Sequence, residues 1–349
     1  MSANHQILLE TIDLAIGYSN KATLFTGLNL SLEKGTLNCL MGPNGSGKST
    51  LLKTLTGLLK PISGEIRVLG DPQLLRKPSV RARTFSVVLT GNPQAGLLRV
   101  RELVALGRHP YTGWAGNYDK KDREKVQWSL DAVKADFLAD RMVHTLSDGE
   151  RQRVMVARAL AQDTPLVFLD EPTAYLDLPH RIELMHIFRQ LTHRCGLTLL
   201  MSTHDLELSL QYADNLCLLG EERQFEFGTP EDLLLTGKLE RTFGHHELDF
   251  DRERGVFRAK NDFHALVSLQ GHPIGVKWTR NALEKLGIGV TNKRNAWFDI
   301  EVDHNGSNDS YVWRYRGDLK SGESRSVSEL IIAIKENGFS RRASTSTGD

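Results

Sequence analysis

Cysteine is scarce: Cys39, Cys195 and Cys217 are the only three in 349 residues, they lie far apart, and no metal-ligand spacing links them. Three unpaired thiols suit a reducing compartment and are expected to serve as core filler. Long hydrophobic runs are missing as well. The longest, such as residues 197–201, fall far short of the ~20 apolar residues that cross a bilayer. Residues 1–10 show no basic segment leading into an apolar one, so no secretion signal is read. An excess of either charge is also lacking. Lys and Arg number 44 against 43 Asp and Glu, a net +1, which speaks against a nucleic-acid partner. What is left is a soluble chain with room for two domains, or one that sits on a membrane only through a partner.

Against that plain background one stretch is specific. Gly42-Pro43-Asn44-Gly45-Ser46-Gly47-Lys48-Ser49-Thr50 meets every required position of the phosphate loop G-x-x-x-x-G-K-[ST]. Gly42, Gly45 and Gly47 let the backbone turn its N–H groups inward around a polyphosphate. Lys48 reaches the β/γ-phosphates, Ser49 places its hydroxyl on Mg²⁺, and Asn44, Ser46 and Thr50 complete the cradle. The flanks agree: residues 36–41 predict an apolar strand, and residues 49–58 a helix whose N-terminus favours an anion. The chain is expected to bind a nucleoside triphosphate.

Upstream, residues 7–18 and 24–32 alternate apolar and polar side chains and predict antiparallel strands. Downstream, residues 65–69 and 85–89 predict strands, the second buried. Residues 100–107 predict a short helix before Arg108-His109-Pro110-Tyr111-Thr112-Gly113-Trp114, either an exposed docking surface or an ordinary long loop. A charged helix over 119–133 precedes Leu146-Ser147-Asp148-Gly149-Glu150, where Ser147 and Glu150 satisfy a capping box that opens the helix 151–161. The apolar strand 166–169 ends in Asp170-Glu171. Hard carboxylate oxygen suits Mg²⁺ at the phosphate end of a nucleotide, and Glu171 is placed to orient or deprotonate the attacking water. The turn Ala174-Tyr175-Leu176-Asp177, a helix over 179–194 and a strand over 197–202 follow. That strand delivers His204 to the kind of strand end where open α/β sheets place their ligands. A helix over 206–212 and strands over 216–219 and 224–227 complete the pattern.

In this order the motifs resemble an ATP-binding cassette (ABC) nucleotide-binding domain over about residues 5–248. The resemblance implies an α/β P-loop ATPase core with an antiparallel β subdomain and a helical subdomain. It implies a head-to-tail dimer that sandwiches two ATP molecules, each held by the P-loop of one copy and the Ser147/Gly149 segment of the other. It further implies adenine stacking for Tyr18, Mg²⁺ ligation by Ser49 and Asp170, a γ-phosphate contact for His204 and an interface role for Asp177. Glu171, His204 and Lys48 are then the catalytic residues. Residues 100–104 leading to Gly107-Arg108-His109-Pro110-Tyr111, with Gly228-Thr229-Pro230, are similar to the ATPases of iron–siderophore, haem and cobalamin importers. That likeness implies a membrane permease engaged through residues 90–114, at the cytoplasmic face of the inner membrane. ATPases of sugar or amino-acid importers, and soluble cassette ATPases of translation or repair, are the alternatives. A single P-loop, no heptad-rich coiled coil and near-neutral charge weigh against the soluble types.

Two positions depart from the family pattern. Where the family carries a Mg²⁺- and water-contacting glutamine this chain has Thr90, with Gln94 four residues on; Thr90 is expected at the site. Asp148 and Glu150 replace an uncharged glycine and glutamine, and carboxylates beside a γ-phosphate repel it unless turned away or neutralised. Arg151 and Arg153 are the expected counter-charges, with Glu150 turned back to the helix start by the capping geometry.

Past residue 249 no resemblance to a family is recognised. Residues 249–338 predict an accessory α+β domain, roughly ββαββα, with helices on an antiparallel sheet. It is either a structural appendage or a regulatory module. The polar tail 339–349 is expected to lack order. His245, His246 and His264 show no metal spacing.

Overall fold

The computed structural model describes residues 6–18, 22–89, 97–112, 118–174, 176–244, 248–252, 255–260, 263–291, 297–306 and 310–337. Thr90, Gln94, Gly113, Trp114, Tyr175, His245, His246 and the tail 339–349 therefore lie outside the described residues. The chain divides into two compact units, Met1–Arg258 and Ala259–Asp349.

The first unit opens with β1 (Ile7–Gly17), β2 (Thr23–Leu28) and β3 (Ser31–Glu33), then β4 (Leu37–Met41), α1 (Lys48–Leu55) and β5 (Ser63–Val68). β1 pairs antiparallel with β2, β3 and β5, which is the expected antiparallel subdomain. The single strand expected over 24–32 is two strands, because β1 changes partner midway. Asp13 at φ 45° marks the bend, and its amide donates to Asn29 Oδ1 at 2.8 Å, in the gap between β2 and β3.

Next come α2 (Pro78–Thr84), β6 (Phe85–Val88), α3 (Val100–Ala105), α4 (Lys120–Ala132), α5 (Asp148–Ala161) and β7 (Leu166–Leu169). They are followed by α6 (Leu178–Cys195), β8 (Thr198–Ser202), α7 (Leu206–Tyr212), β9 (Asn215–Leu219), β10 (Phe225–Gly228), α8 (Pro230–Leu235) and α9 (Lys238–Phe243). α2 is not visible in the sequence pattern: only Thr84 of it is buried, so no apolar stripe announces it. The main sheet runs β10-β9-β4-β8-β7-β6, parallel from β9 to β6 with β10 antiparallel at one edge.

Its strands are apolar without alternation because both faces are covered. Cys39, Val167, Leu169, Leu199 and Met201 pack with the helices, while Leu40, Leu166, Phe168, Leu200 and Cys217 pack with α1 and the antiparallel subdomain. Burial pushes the Cys39 thiol up to about 12 and raises that of Cys217 as well. Cys195 is exposed, so two of the three thiols are core filler and the third is not. A hairpin of β11 (Leu248–Asp251) and β12 (Val256–Ala259) adds Phe250 to the same core, with the Phe257 ring centred 4.7 Å away and tilted 49° to it.

The second unit contains β13 (Ala265–Gly271), α10 (Pro273–Glu284), β14 (Ile288–Thr291), β15 (Phe298–Asn305), β16 (Ser310–Gly317), β17 (Ser321–Ser324) and α11 (Val327–Glu336). It is α+β as expected, yet its sheet is mixed rather than antiparallel. In the order β14-β13-β15-β16-β17, β13, one in from the edge, runs parallel to both neighbours. The cause is α10, which starts at Pro273 instead of near Trp278 and carries the chain over to β14. Val267, Leu269, Phe298, Ile300, Val302 and Trp313 form the core with Leu283 of α10 and Leu330 and Ile334 of α11. Trp313 Nε1 donates to the buried Thr279 Oγ1 at 2.6 Å, tying sheet to helix.

Candidate functional site

β4, β8 and β7 are parallel neighbours, and each ends in polar residues: the phosphate loop, Thr203-His204 and Asp170-Glu171. Because β8 lies in the middle, its last residue reaches the end of β7. Ser202 Oγ donates to Asp170 Oδ1 at 2.6 Å and accepts from the Glu171 amide at 2.8 Å. From the loop side, Ser49 Oγ donates to Asp170 Oδ2 at 3.0 Å. Glu171 Oε1 and His204 Nε2 lie 2.9 Å apart. A continuous hydrogen-bonded chain thus links Ser49, Asp170, Ser202, Glu171 and His204. Glu171 stands at φ 49°, a conformation that costs a non-glycine residue about 1 kcal/mol, and the Ser202 hydroxyl helps to hold it there. Glu171, Thr173, Arg181 and His204 line a cavity of about 460 Å³.

The loop itself needs its glycines. Gly45 and Gly47 lie at φ 79° and 100°, and a Cβ added at Gly42 would overlap the Leu219 carbonyl and lie 2.6 Å from Ser46 Oγ. Lys48 is buried and donates to the carbonyls of Gly42 and Pro43 at 2.9 and 3.0 Å. Desolvation lowers its pKa, against the opposing pull of Glu171 and Asp170. Ser46 Oγ is buried without a hydrogen-bond partner, an orphaned donor inside the cradle. Tyr18, 72 % exposed, sits just past β1 with its hydroxyl 3.3 Å from Thr50 Oγ1. Asn44 is exposed at the loop tip.

These residues fit a nucleoside triphosphate and its divalent cation. The glycine cradle, the buried ammonium and the orphaned hydroxyl suit phosphate oxygens, and Ser49 and Asp170 supply hard oxygen. Among the described residues no three His, Cys, Asp or Glu groups gather into a ready-made metal site. A cation here would therefore complete its shell with phosphate and water oxygens.

Ser147 and Gly149 are elsewhere. Together with Arg141, Glu150 and His180 they line a second cavity of about 580 Å³ that shares no residue with the first. Ser147 caps α5: its hydroxyl accepts from the Glu150 amide at 3.3 Å, and Glu150 Oε2 accepts from the Ser147 amide at 2.9 Å. That backbone bond, with Arg141 nearby, holds the Glu150 carboxyl below the usual range. The expected counter-charges hold in part. Arg151 meets Asp148 at 3.3 Å, but Arg153 pairs with Glu183 at 2.6 Å, and Arg141 faces Glu150 at 2.9 Å. Asp177 caps α6 by accepting from the His180 amide at 3.2 Å. Its carboxyl also bonds the His180 ring, which holds its pKa low. Asp177 is thereby connected to the second cavity through His180.

The stretch expected as docking surface or loop is partly neither. Arg108 is 6 % exposed. Its guanidinium donates to Asp122 Oδ1 and to the Ala161 carbonyl, both at 2.8 Å, and lies 4.1 Å from the Tyr111 ring centroid. Arg108 braces α4 against α5. Of the residues now seen in the two clusters, sequence reasoning missed Ser202 and Arg141. A serine closing an apolar strand beside His204 was the available signal for the first; nothing local marks the second.

Residues 25–174 match the ABC transporter family, and residues 264–335, in which no family is recognised from the sequence motifs, match the iron ABC transporter C-terminal domain. The chain is 38% identical over 222 residues to the achromobactin transport ATP-binding protein CbrD of Dickeya dadantii, covering 64% of this chain and 82% of that protein. It is 36% identical over 231 residues to the ferric enterobactin transport ATP-binding protein FepC of Escherichia coli, covering 66% and 85%. Among solved structures, cbiO1 from Clostridium perfringens, part of the ABC transporter complex cbiONQ, matches with a TM-score of 0.60 and 26% identity, over 68% of this chain and 94% of that one. More than a third identical, over the aligned stretch, to relatives of which it covers over four-fifths, the chain belongs to the ABC transporter ATP-binding proteins and is a transport ATPase.

Proposed function

We propose that this chain hydrolyses ATP to drive import of an iron–siderophore complex. The hydrogen-bonded run from Ser49 through Asp170 and Ser202 to Glu171 and His204 carries the ATPase half of that reading. The match of residues 264–335 to an iron transporter domain, and relatives named for achromobactin and ferric enterobactin transport, support the cargo.

Gly42, Asn44, Gly45, Ser46, Gly47, Lys48, Ser49 and Thr50 hold the phosphates, and Tyr18 stacks on the adenine. Ser49 and Asp170 would hold Mg²⁺, with Thr90, outside the described residues, as a further proposed contact, and the cation would supply charge stabilisation on the phosphoryl oxygens. Glu171 orients the attacking water and accepts its proton. His204, bonded to Glu171 Oε1, leaves the second carboxylate oxygen for that water and reaches the γ-phosphate. Lys48, desolvated and cationic, neutralises charge that builds on the transferring group.

Ser147 and Gly149 serve the nucleotide of a second copy; in support, neither lines the Glu171 cavity. Asp177 organises that interface beside His180. The permease engages the surface part of residues 90–114, with Arg108 excluded by its burial. The chain reaches the cytoplasmic face of the inner membrane through the permease, as the importer subunits it resembles suggest; no helix among the described residues is long and apolar enough to cross a membrane. The test is to co-purify the chain with its permease and assay ATP hydrolysis with binding protein loaded with ferric siderophores. Stimulation by an iron complex is expected. Stimulation by a sugar or an amino acid instead would overturn the cargo assignment.

A further inference from the structure

Glu150 puts a carboxylate in the segment that, on the reading above, receives the γ-phosphate of another copy's nucleotide. Two carboxylate oxygens are accounted for separately. Oε2 accepts from the Ser147 amide at 2.9 Å, and Oε1 accepts from Arg141 Nη1 at 2.9 Å. The same guanidinium donates through Nη2 to the Thr145 carbonyl at 2.9 Å. One arginine fork therefore grips the last residues before α5 by both charge and backbone, and a planar fork is suited to such a double contact.

Arg141 is itself anchored. Its carbonyl accepts from the Val100 amide at 2.9 Å, the Val143 amide donates to the Leu98 carbonyl at 3.0 Å, and the Arg101 amide donates to the Ala139 carbonyl at 3.0 Å. Arg99 Nη1 adds a bond to the Asp140 carbonyl at 2.7 Å. The turn carrying Arg141 is thus strapped to the start of α3, and the guanidinium is presented to Glu150 from a fixed base.

We propose that Arg141 is the positioning residue of the Ser147/Gly149 segment, neutralising Glu150 and holding its carboxylate back on the helix start so that Ser147 and Gly149 can take a phosphate. This deepens the proposed function and rests on its assignment of Ser147 to the partner's nucleotide. A glutamine at 150 would keep the bond to the Ser147 amide without the charge. The need for Arg141 is then a consequence of the glutamate, which makes the two positions a coupled pair.

The experiment is a double-mutant cycle on the full chain, reading steady-state ATPase rate against both ATP and protein concentration. In the native background R141A lowers the rate about tenfold and raises the protein concentration needed for half-maximal activity, because an exposed carboxylate opposes closure on the phosphate. In the E150Q background the same R141A change costs no more than about twofold. Equal losses in the two backgrounds, or no loss in the native one, overturn the proposal. Melting curves accompany each variant, and if R141A does not reach the native midpoint, R141Q repeats the cycle with a neutral side chain that can still reach the Thr145 carbonyl. S147E separates the two levels of inference. If S147E leaves turnover intact, the assignment of Ser147 itself fails. If S147E abolishes turnover while R141A costs the same with or without Glu150, only the role given to Arg141 fails.

Discussion

Replacing Asp122 by alanine tests whether the Arg108–Tyr111 stretch is an internal brace. Arg108 and Asp122 are both about nine-tenths buried, with side chains 8 % exposed on each side of a 2.8 Å bond. Removing one partner of a buried pair costs about 3–5 kcal/mol, since the other charge is left without compensation. The Ala161 carbonyl and the Tyr111 ring remain to Arg108, which puts the loss near the lower end. Asp122 also closes a capping box with Asp119 at the start of α4, worth about 1 kcal/mol. The sum is about 3–4 kcal/mol, concentrated where α4 meets α5. Amide hydrogen exchange of peptides from these helices reads it locally, in a chain whose two units need not unfold together. Exchange should accelerate about a hundredfold or more there, with little change in the C-terminal unit. Replacing both residues by leucine should cost less than losing Asp122 alone, because no orphaned charge remains. The pH dependence has a definite sign. Burial would raise the Asp122 pKa, but Arg108 and the Asp119 amide outweigh it and hold the carboxyl low. A lowered folded-state pKa stabilises fully above the ordinary carboxylate range and is lost as pH falls, so native and D122A exchange rates should converge in acid. A change below about threefold at neutral pH would refute the brace and return Arg108 to the docking surface.

Further outcomes are expected from single sites. Glu171→Gln should retain nucleotide binding and lower turnover by about 10²–10⁴-fold, because an amide accepts no proton from water; full turnover would remove Glu171 from the reaction. Ser202→Ala should lower kcat about tenfold with nucleotide affinity little changed, as Asp170 and the strained Glu171 lose a shared anchor; an unchanged kcat would count against that bridge. Gly42→Ala should weaken binding of a fluorescent nucleotide at least tenfold, because the new Cβ overlaps the Leu219 carbonyl and crowds Ser46; native affinity would contradict the cradle geometry. Glu183 is brought down to about 2 by Arg153 and then Lys134, so its contribution, about 1 kcal/mol for a partly exposed pair, is present above about pH 5 and fades toward pH 2. Urea midpoints of native and Glu183→Gln protein should therefore close together in acid, and a gap independent of pH would refute the assignment.

The motifs were legible because each is a local solution to a local problem. A phosphate loop needs glycine where the backbone is left-handed, and Gly45 and Gly47 are at φ 79° and 100°. The orphan amides at a helix start can be met by a hydroxyl and a carboxylate three residues apart, and Ser147 and Glu150 form that box. The strands of the parallel sheet announced themselves because burial on both faces leaves continuous apolar runs. Where burial leaves no periodic trace, the sequence was silent, as in α2, or misleading, as in the polar-looking stretch whose Arg108 lies inside. In the C-terminal unit β14 has a glycine, Gly289, inside its four residues, which breaks the apolar run that marks a buried strand, and without it the sheet reads as antiparallel.

Which residues meet was decided by the tertiary structure. β8 follows β7 in the chain yet inserts between β4 and β7 in the sheet, and that order alone brings Ser202 to Asp170 and Glu171. Arg141 reaches Glu150 across nine positions through a turn strapped to α3, a pairing no spacing rule contains. The sequence by itself determined the chemistry: a chain that binds a nucleotide by its phosphates and sets carboxylates beside them. Strand order and helix packing decided which groups hold those carboxylates in place, because hydrogen bonds and ion pairs depend on distance in space rather than along the chain.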